Sequence, residues 1–168
     1  MKSVTINSED VEIELEQLRN QKITLSGGSI AWWPCHIGSN CQIGSAGNIG
    51  ALVHIGSDVT IGENCKIQGG AYIANKTKIG DDVFIGPNAT IMNDKYPPSG
   101  DSNLWRIVEI GNCAVIGGGA NIVAGVSMGD NSVLAAGATL THDMPVGEVW
   151  AGNPAKFLMT RQQYDAKR

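Results

Sequence analysis

Two of the three histidines, His36 and His54, stand 18 residues apart, and each immediately precedes an isoleucine. The same step of 18 leads on to Tyr72 and Thr90. An imidazole exchanges protons near neutrality, so such a series could serve proton transfer or polar recognition if 18 is a structural interval. Just beyond Thr90 the chain turns polar, with Asn93-Asp94-Lys95-Tyr96-Pro97-Pro98-Ser99-Gly100. For His36 and His54 the residues leave three readings open: packing at a subunit interface, contact with substrate, or ligation of a metal. Neither serine nor cysteine pairs with a histidine as a nucleophile would, so a covalent intermediate on the protein is not expected.

What would position these groups is a repeat. Isoleucine falls at 37, 43, 49, 55, 61, 67, 73, 79, 85 and 91 without a slip, and the pattern resumes at Ile110, Ile116, Ile122, Met128, Leu134, Leu140 and Val146. With 18 isoleucines in 168 residues, ten consecutive hits by chance are on the order of one in ten billion. Glycine usually follows the isoleucine, and Asn or Asp often follows two places later (Asn40, Asp58, Asn64, Asp82, Asn88, Asn131). These types tolerate the positive φ that a tight corner can require. A small residue such as Cys65, Ala71 or Val83 precedes the isoleucine by two, so the pair points inward and the residue between points out.

Each hexad is then a short strand and a corner, and three hexads close a triangular coil. Coils would stack about 4.8 Å apart with residues 18 apart in columns. The outward columns read His36, His54, Tyr72, Thr90; Gln42, Thr60, Lys78; and Asn48, Lys66, Phe84. The α-helical period of 3.6 cannot keep a strict six-residue repeat on one side. Three segments leave the pattern. Residues 1–24 are irregular and are expected to cap the first coil, with a short helix opening at Ser8 and running to Leu18. Residues 92–109 form an extruded loop. A C-terminal helix is expected over Phe157 to Tyr164. The domain reading is a cap at 1–24, a β-helix at 25–158 and a helical tail at 159–168.

Composition narrows the function classes. Charged residues are only 17% of the chain and the net charge is −4, which argues against a nucleic-acid groove. No apolar stretch is long enough to span a bilayer. The first residues lack the apolar core of a secretion signal, and four cysteines without a CxxC pair fit a reducing cytoplasm. No nucleic-acid or membrane partner is expected, and the localisation expected is cytoplasmic.

The repeat, the Asn93-Asp94-Lys95-Tyr96-Pro97 loop, Ile79-Gly80-Asp81-Asp82-Val83-Phe84-Ile85-Gly86-Pro87-Asn88 and the closing Val146-Gly147-Glu148-Val149-Trp150-Ala151-Gly152-Asn153-Pro154-Ala155-Lys156 together resemble the left-handed β-helix (hexapeptide-repeat) acyltransferases. Among these, the N-acetyltransferases of nucleotide-linked amino sugars are most similar. The resemblance spans roughly residues 30 to 158, and Pro98 stands where those proteins usually carry Arg. It implies an all-β, left-handed parallel β-helix, a homotrimer with sites between neighbouring prisms, and acetyl transfer from acetyl-CoA to the amine of a nucleotide sugar. It places Asn93 on the amine, with Asp94 supporting the loop and Tyr96 within it; the outward column itself makes His54, ahead of His36, the candidate base or sugar contact, beside Tyr72. Acetyl-CoA would lie along Gly118 and Ala136, with Lys156 at its nucleotide phosphates. No metal is expected: the carbonic anhydrases that share this fold need three converging histidines, and His142 lies at least four coils beyond the others. The alternatives are O-acetyl transfer to a sugar or antibiotic hydroxyl, and a non-catalytic scaffold.

Overall fold

A computed structural model describes residues 2–6, 9–13 and 21–167 of the chain, with side chains from residue 21 onward. It is a parallel β-helix of three walls. The first wall holds six two-residue strands, His36–Ile37, His54–Ile55, Tyr72–Ile73, Thr90–Ile91, Asn121–Ile122 and Thr139–Leu140. The second holds Gln42–Ile43, Thr60–Ile61, Lys78–Ile79, Glu109–Ile110 and Ser127–Met128. The third has nine strands and runs the full length of the prism.

The register follows the hexads. Ile37 pairs with Ile55, Ile55 with Ile73, and Ile73 with Ile91. Across the loop Ile79 pairs with Ile110, a step of 31 in place of 18. The inner isoleucines from 49 to 122 and Leu134 and Leu140 are buried and form one continuous core with Val53, Val59, Cys65, Ala71 and Val83. Branched side chains suit this pleated, two-sided environment.

The corners separate two roles that the sequence joined. Asn40, Asp58, Asn64, Asp82, Asn88 and Asn131 all have φ between 55° and 59°. The glycine after each isoleucine serves instead for close approach. A Cβ on Gly44 would lie 2.6 Å from the carbonyl carbon of Gly62 and 2.7 Å from the nitrogen of Glu63, distances that stacked backbones cannot relieve.

Both ends differ from expectation. The helix expected from Ser8 to Leu18 is not found over Glu9–Ile13, which is a strand pairing antiparallel with Lys2–Ile6; the rest of that stretch, and any contact with the first coil, lie outside the described residues. Alternation of Val11 and Ile13 with Asp10 and Glu12 is a strand period that a Ser cap obscured. Strand Lys22–Thr24 turns back antiparallel on Ile30–Trp32 and ends the third wall. At the other end Phe157 to Thr160, expected to open the C-terminal helix, belongs to the strand Ala155–Thr160, antiparallel to Glu148–Gly152. The helix is only Arg161–Asp165, opened by a reciprocal cap between Thr160 and Gln163. Phe157, Leu158 and Met159 have good helix propensity, but closing the open edge of the third wall outweighs it. No described helix is long and apolar enough to cross a membrane.

Candidate active site

The column His36, His54, Tyr72 is a stack of rings. Parallel pairing puts each residue opposite the next, and ring centroids are 4.5 Å apart for His36 and His54 and 4.6 Å for His54 and Tyr72, with planes 14° and 6° apart. The spacing is the strand separation itself. Rings stacked along the prism axis cover one another's faces and leave their edges open. Burial, and next the neighbouring charge of His36, hold the pKa of His54 below the usual imidazole value. The central ring is therefore kept neutral, and a neutral imidazole can accept a proton.

The loop leaves the same wall after Ile91 and rejoins the second wall at Glu109. Its neck is closed by the Arg106 amide donating to the Asn93 carbonyl at 2.8 Å. Asp94 braces the interior: one oxygen accepts from the Tyr96 amide at 3.1 Å and the other from the Ser99 amide at 2.9 Å. Those bonds, that of Ser99 first, hold its carboxyl below the ordinary range. Asp101 in turn accepts from the Asn103 amide at 2.8 Å and caps the turn Ser102–Leu104. Around the braced bend is a cavity of about 280 Å³ between Asp94, Lys95, Tyr96, Ser99, Leu104 and Arg106. Asn93 is half-buried, and its side-chain amide makes no hydrogen bond among the described residues. Tyr96 is 80% exposed.

The structure thus brings His36, His54 and Tyr72 together, and separately Asp94 and Tyr96. Asn93 follows the strand Thr90–Ile91, and the strand of Tyr72 lies between that strand and His54.

The residues expected to line acetyl-CoA lie on the corner after the third wall. Gly118 accepts from the Gly137 amide at 2.9 Å, and the Gly119 amide donates to Pro87 at 2.8 Å, so Pro87, Gly118 and Ala136 follow one another along an edge without bulk. The Ala135 amide donates to the Trp150 carbonyl at 2.9 Å, and Ala151 pairs with Lys156; Lys156 is two strands further along the same wall. It borders a cavity of about 360 Å³ shared with His142, Trp150, Pro154 and Phe157. His142 was considered from sequence only as a metal ligand. Its Nδ1 lies 2.9 Å from the Thr141 hydroxyl, and the clue to its place was its position two residues after Leu140, at the corner. Trp150 donates to Glu148 at 2.6 Å. Among the described residues no three His, Cys, Asp or Glu side chains converge as metal ligands.

Comparison with known proteins agrees with this coil. The model of the bacterial transferase hexapeptide (six repeats) matches residues 48–75, and that of the hexapeptide repeat of succinyl-transferase matches residues 76–92 and 107–142. None of the curated proteins matches the chain. Among solved structures, a mutant GDP-perosamine N-acetyl transferase from Caulobacter crescentus, in complex with CoA and GDP-perosamine, superposes with a TM-score of 0.66 at 23% identity, over 77% of this chain and 56% of its own. The acetyltransferase domain of PglB from Neisseria gonorrhoeae gives 0.68 at 21% identity, over 77% and 57%. A hexapeptide transferase family protein from Anaplasma phagocytophilum gives 0.58 at 25% identity, over 83% and 87%. The chain spans little more than half the length of the first two. Matched hexads over residues 48–92 and 107–142, each seen as a strand and corner of the same coil, carry one conclusion: these stretches of the chain are hexapeptide repeats.

Proposed function

We propose that the protein is an acyltransferase that moves the acetyl group of acetyl-CoA to the amine of a nucleotide-linked amino sugar, working as a homotrimer with its sites between protomers. The observation that carries this reading is the braced loop springing from the same wall as the His36–His54–Tyr72 stack. Supporting it are the small-residue edge at Gly118 and Ala136, and the likeness in fold to proteins whose structures hold CoA and GDP-perosamine or acetyl coenzyme A.

In the proposed reaction the sugar amine attacks the thioester carbonyl carbon. A C–N bond forms and the carbonyl electrons move to oxygen; the oxyanion then collapses, the C–S bond breaks and CoA leaves as thiolate. Asn93 holds the amine through its free side-chain amide, and Asp94 keeps the loop in shape. Tyr96 packs against the nucleotide sugar from the loop tip. His54, neutral because of its pKa, takes the proton the amine loses, with His36 and Tyr72 contacting the sugar. Asn93 reaches His54 only across a protomer boundary in this scheme. Lys156 meets the CoA phosphates as a point charge, and orientation of the two substrates supplies much of the acceleration. No metal enters any step.

Thiol release from acetyl-CoA, measured against a panel of nucleotide 3-amino and 4-amino sugars, tests the reading. It predicts release with at least one amino sugar and none with the corresponding hydroxyl sugar. Release with the hydroxyl sugars alone would favour O-acetyl transfer, and release with neither would remove the reading.

A further inference from the structure

A second recess lies on the third wall, away from the histidine stack. Its floor is the outward column Lys66, Phe84, Val115, and its rim is the C-terminal helix. The cavity, about 660 Å³, is bounded by Asn64, Lys66, Asp82, Phe84, Val115 and Tyr164. The helix side is anchored firmly. The Arg161 amide donates to Gly147 at 2.7 Å, and its guanidinium donates to the carbonyls of Cys113 and Asn131, each at 3.3 Å. Val133, next in the column, is buried, while Phe84 and Val115 are half-open and Tyr164 is half-buried at the margin.

We propose that this groove is a carbohydrate-binding site that takes a neutral pyranose ring. The polar groups around Phe84 are exposed and unengaged. Asn64 and Asp82 sit at stacked corners with φ of 55° and 56°, and among the described residues neither side chain, nor the Lys66 ammonium, has a hydrogen-bond or ion-pair partner. The groove thus offers a carboxylate acceptor, an amide that both donates and accepts, an ammonium donor and a phenol beside an aromatic face. A phosphate or nucleotide would meet the Asp82 carboxylate. An alkyl chain would strip water from three polar groups and give nothing back. A pyranose satisfies both halves: its C–H face lies on the negative face of the Phe84 ring, and its hydroxyls reach Asp82, Asn64 and Lys66. The volume suits one or two sugar rings. Because the site lies on another wall, it is independent of the acyl-transfer reading.

The test is an amide NMR titration of the full chain with methyl α-mannopyranoside, methyl β-glucopyranoside and N-acetylglucosamine, each into the millimolar range typical of weak sites, and with inorganic phosphate in parallel. The expected result is saturable shifts at Asn64, Lys66, Asp82 and Phe84 with at least one sugar, weakened at least about tenfold in Phe84→Ala and in Asp82→Gly. Asp82→Gly removes the carboxylate at a corner where glycine fits the backbone, so it reports even if Phe84→Ala fails to fold. No saturable shift with any of the three sugars would overturn the proposal. So would shifts that survive both substitutions, or a stronger response to phosphate.

Discussion

The imidazole of His54 lies flat against the phenol ring of Tyr72, centroids 4.6 Å apart and planes within 6° of parallel. With His36 on its other face, His54 is shielded from water on both sides while its ring edge stays free. The stack is a direct product of the six-residue repeat, since only strands in strict register put three rings one above another.

Acid should therefore affect His54 later than an ordinary histidine. Its lowered pKa keeps it neutral to a pH below about 6.5, the usual imidazole value. The acid limb of the kcat/KM profile should fall below that value in the wild type, and His54→Gln should remove the limb. Stability follows the same sign. Between the folded and unfolded pKa values the unfolded chain binds more protons, so stability rises with pH through that window and is lost as pH falls through it. Denaturation curves at several pH values, wild type against His54→Gln, give the comparison. An acid limb unchanged by the substitution would remove His54 as the base.

Asp94→Ala should loosen the loop while leaving the prism intact. It deletes both acceptors for the Tyr96 and Ser99 amides. Misplacement of loop groups by an ångström is worth on the order of a hundredfold in rate, so acyl transfer should drop by roughly that factor with little change in thermal midpoint. An equal loss of rate and of fold would instead mark Asp94 as purely structural.

Ile73→Ala should be among the most damaging core changes. Ile73 is fully buried between Ile55 and Ile91, where such truncations cost about 2–5 kcal/mol. Ile37→Ala, at a half-open end coil, should cost clearly less. Chemical denaturation of the two variants measures the difference.

Leu52→Asn should stabilise the protein. Leu52 has φ of 62° and is 70% exposed, so it bears the steric cost of a left-handed backbone, roughly 1–2 kcal/mol, with little burial in return. Asparagine at the matching corner Asn88 holds φ of 55°. A gain of up to about 1 kcal/mol in denaturant is expected; a loss would show that the Leu52 side chain is covered in the assembled protein.

These cases mark what the sequence could reveal. Columns of Ile37, Ile55, Ile73 and Ile91, the placing of His36 over His54, and positive φ at Asn40 or Asp82 all follow from the period, because neighbouring coils enforce it. The strand Ala155–Thr160 was hidden by helix-forming residues, since its partner Glu148–Gly152 is set by an edge that needs closing. The Asp94 brace depends on a bend that no periodicity describes. The place of His142 beside Lys156 was not legible because its neighbours Trp150 and Phe157 arrive from a returning hairpin.

Acetyl transfer by wild type and Asn93→Ala, given matched amino and hydroxyl nucleotide sugars and followed by product analysis, tests the acyltransferase reading most directly. That reading predicts the acetyl group on the sugar nitrogen, a rate at least about a hundredfold lower in the variant, and an unchanged trimer. Undiminished turnover by Asn93→Ala, or the acetyl group found on oxygen, would contradict it.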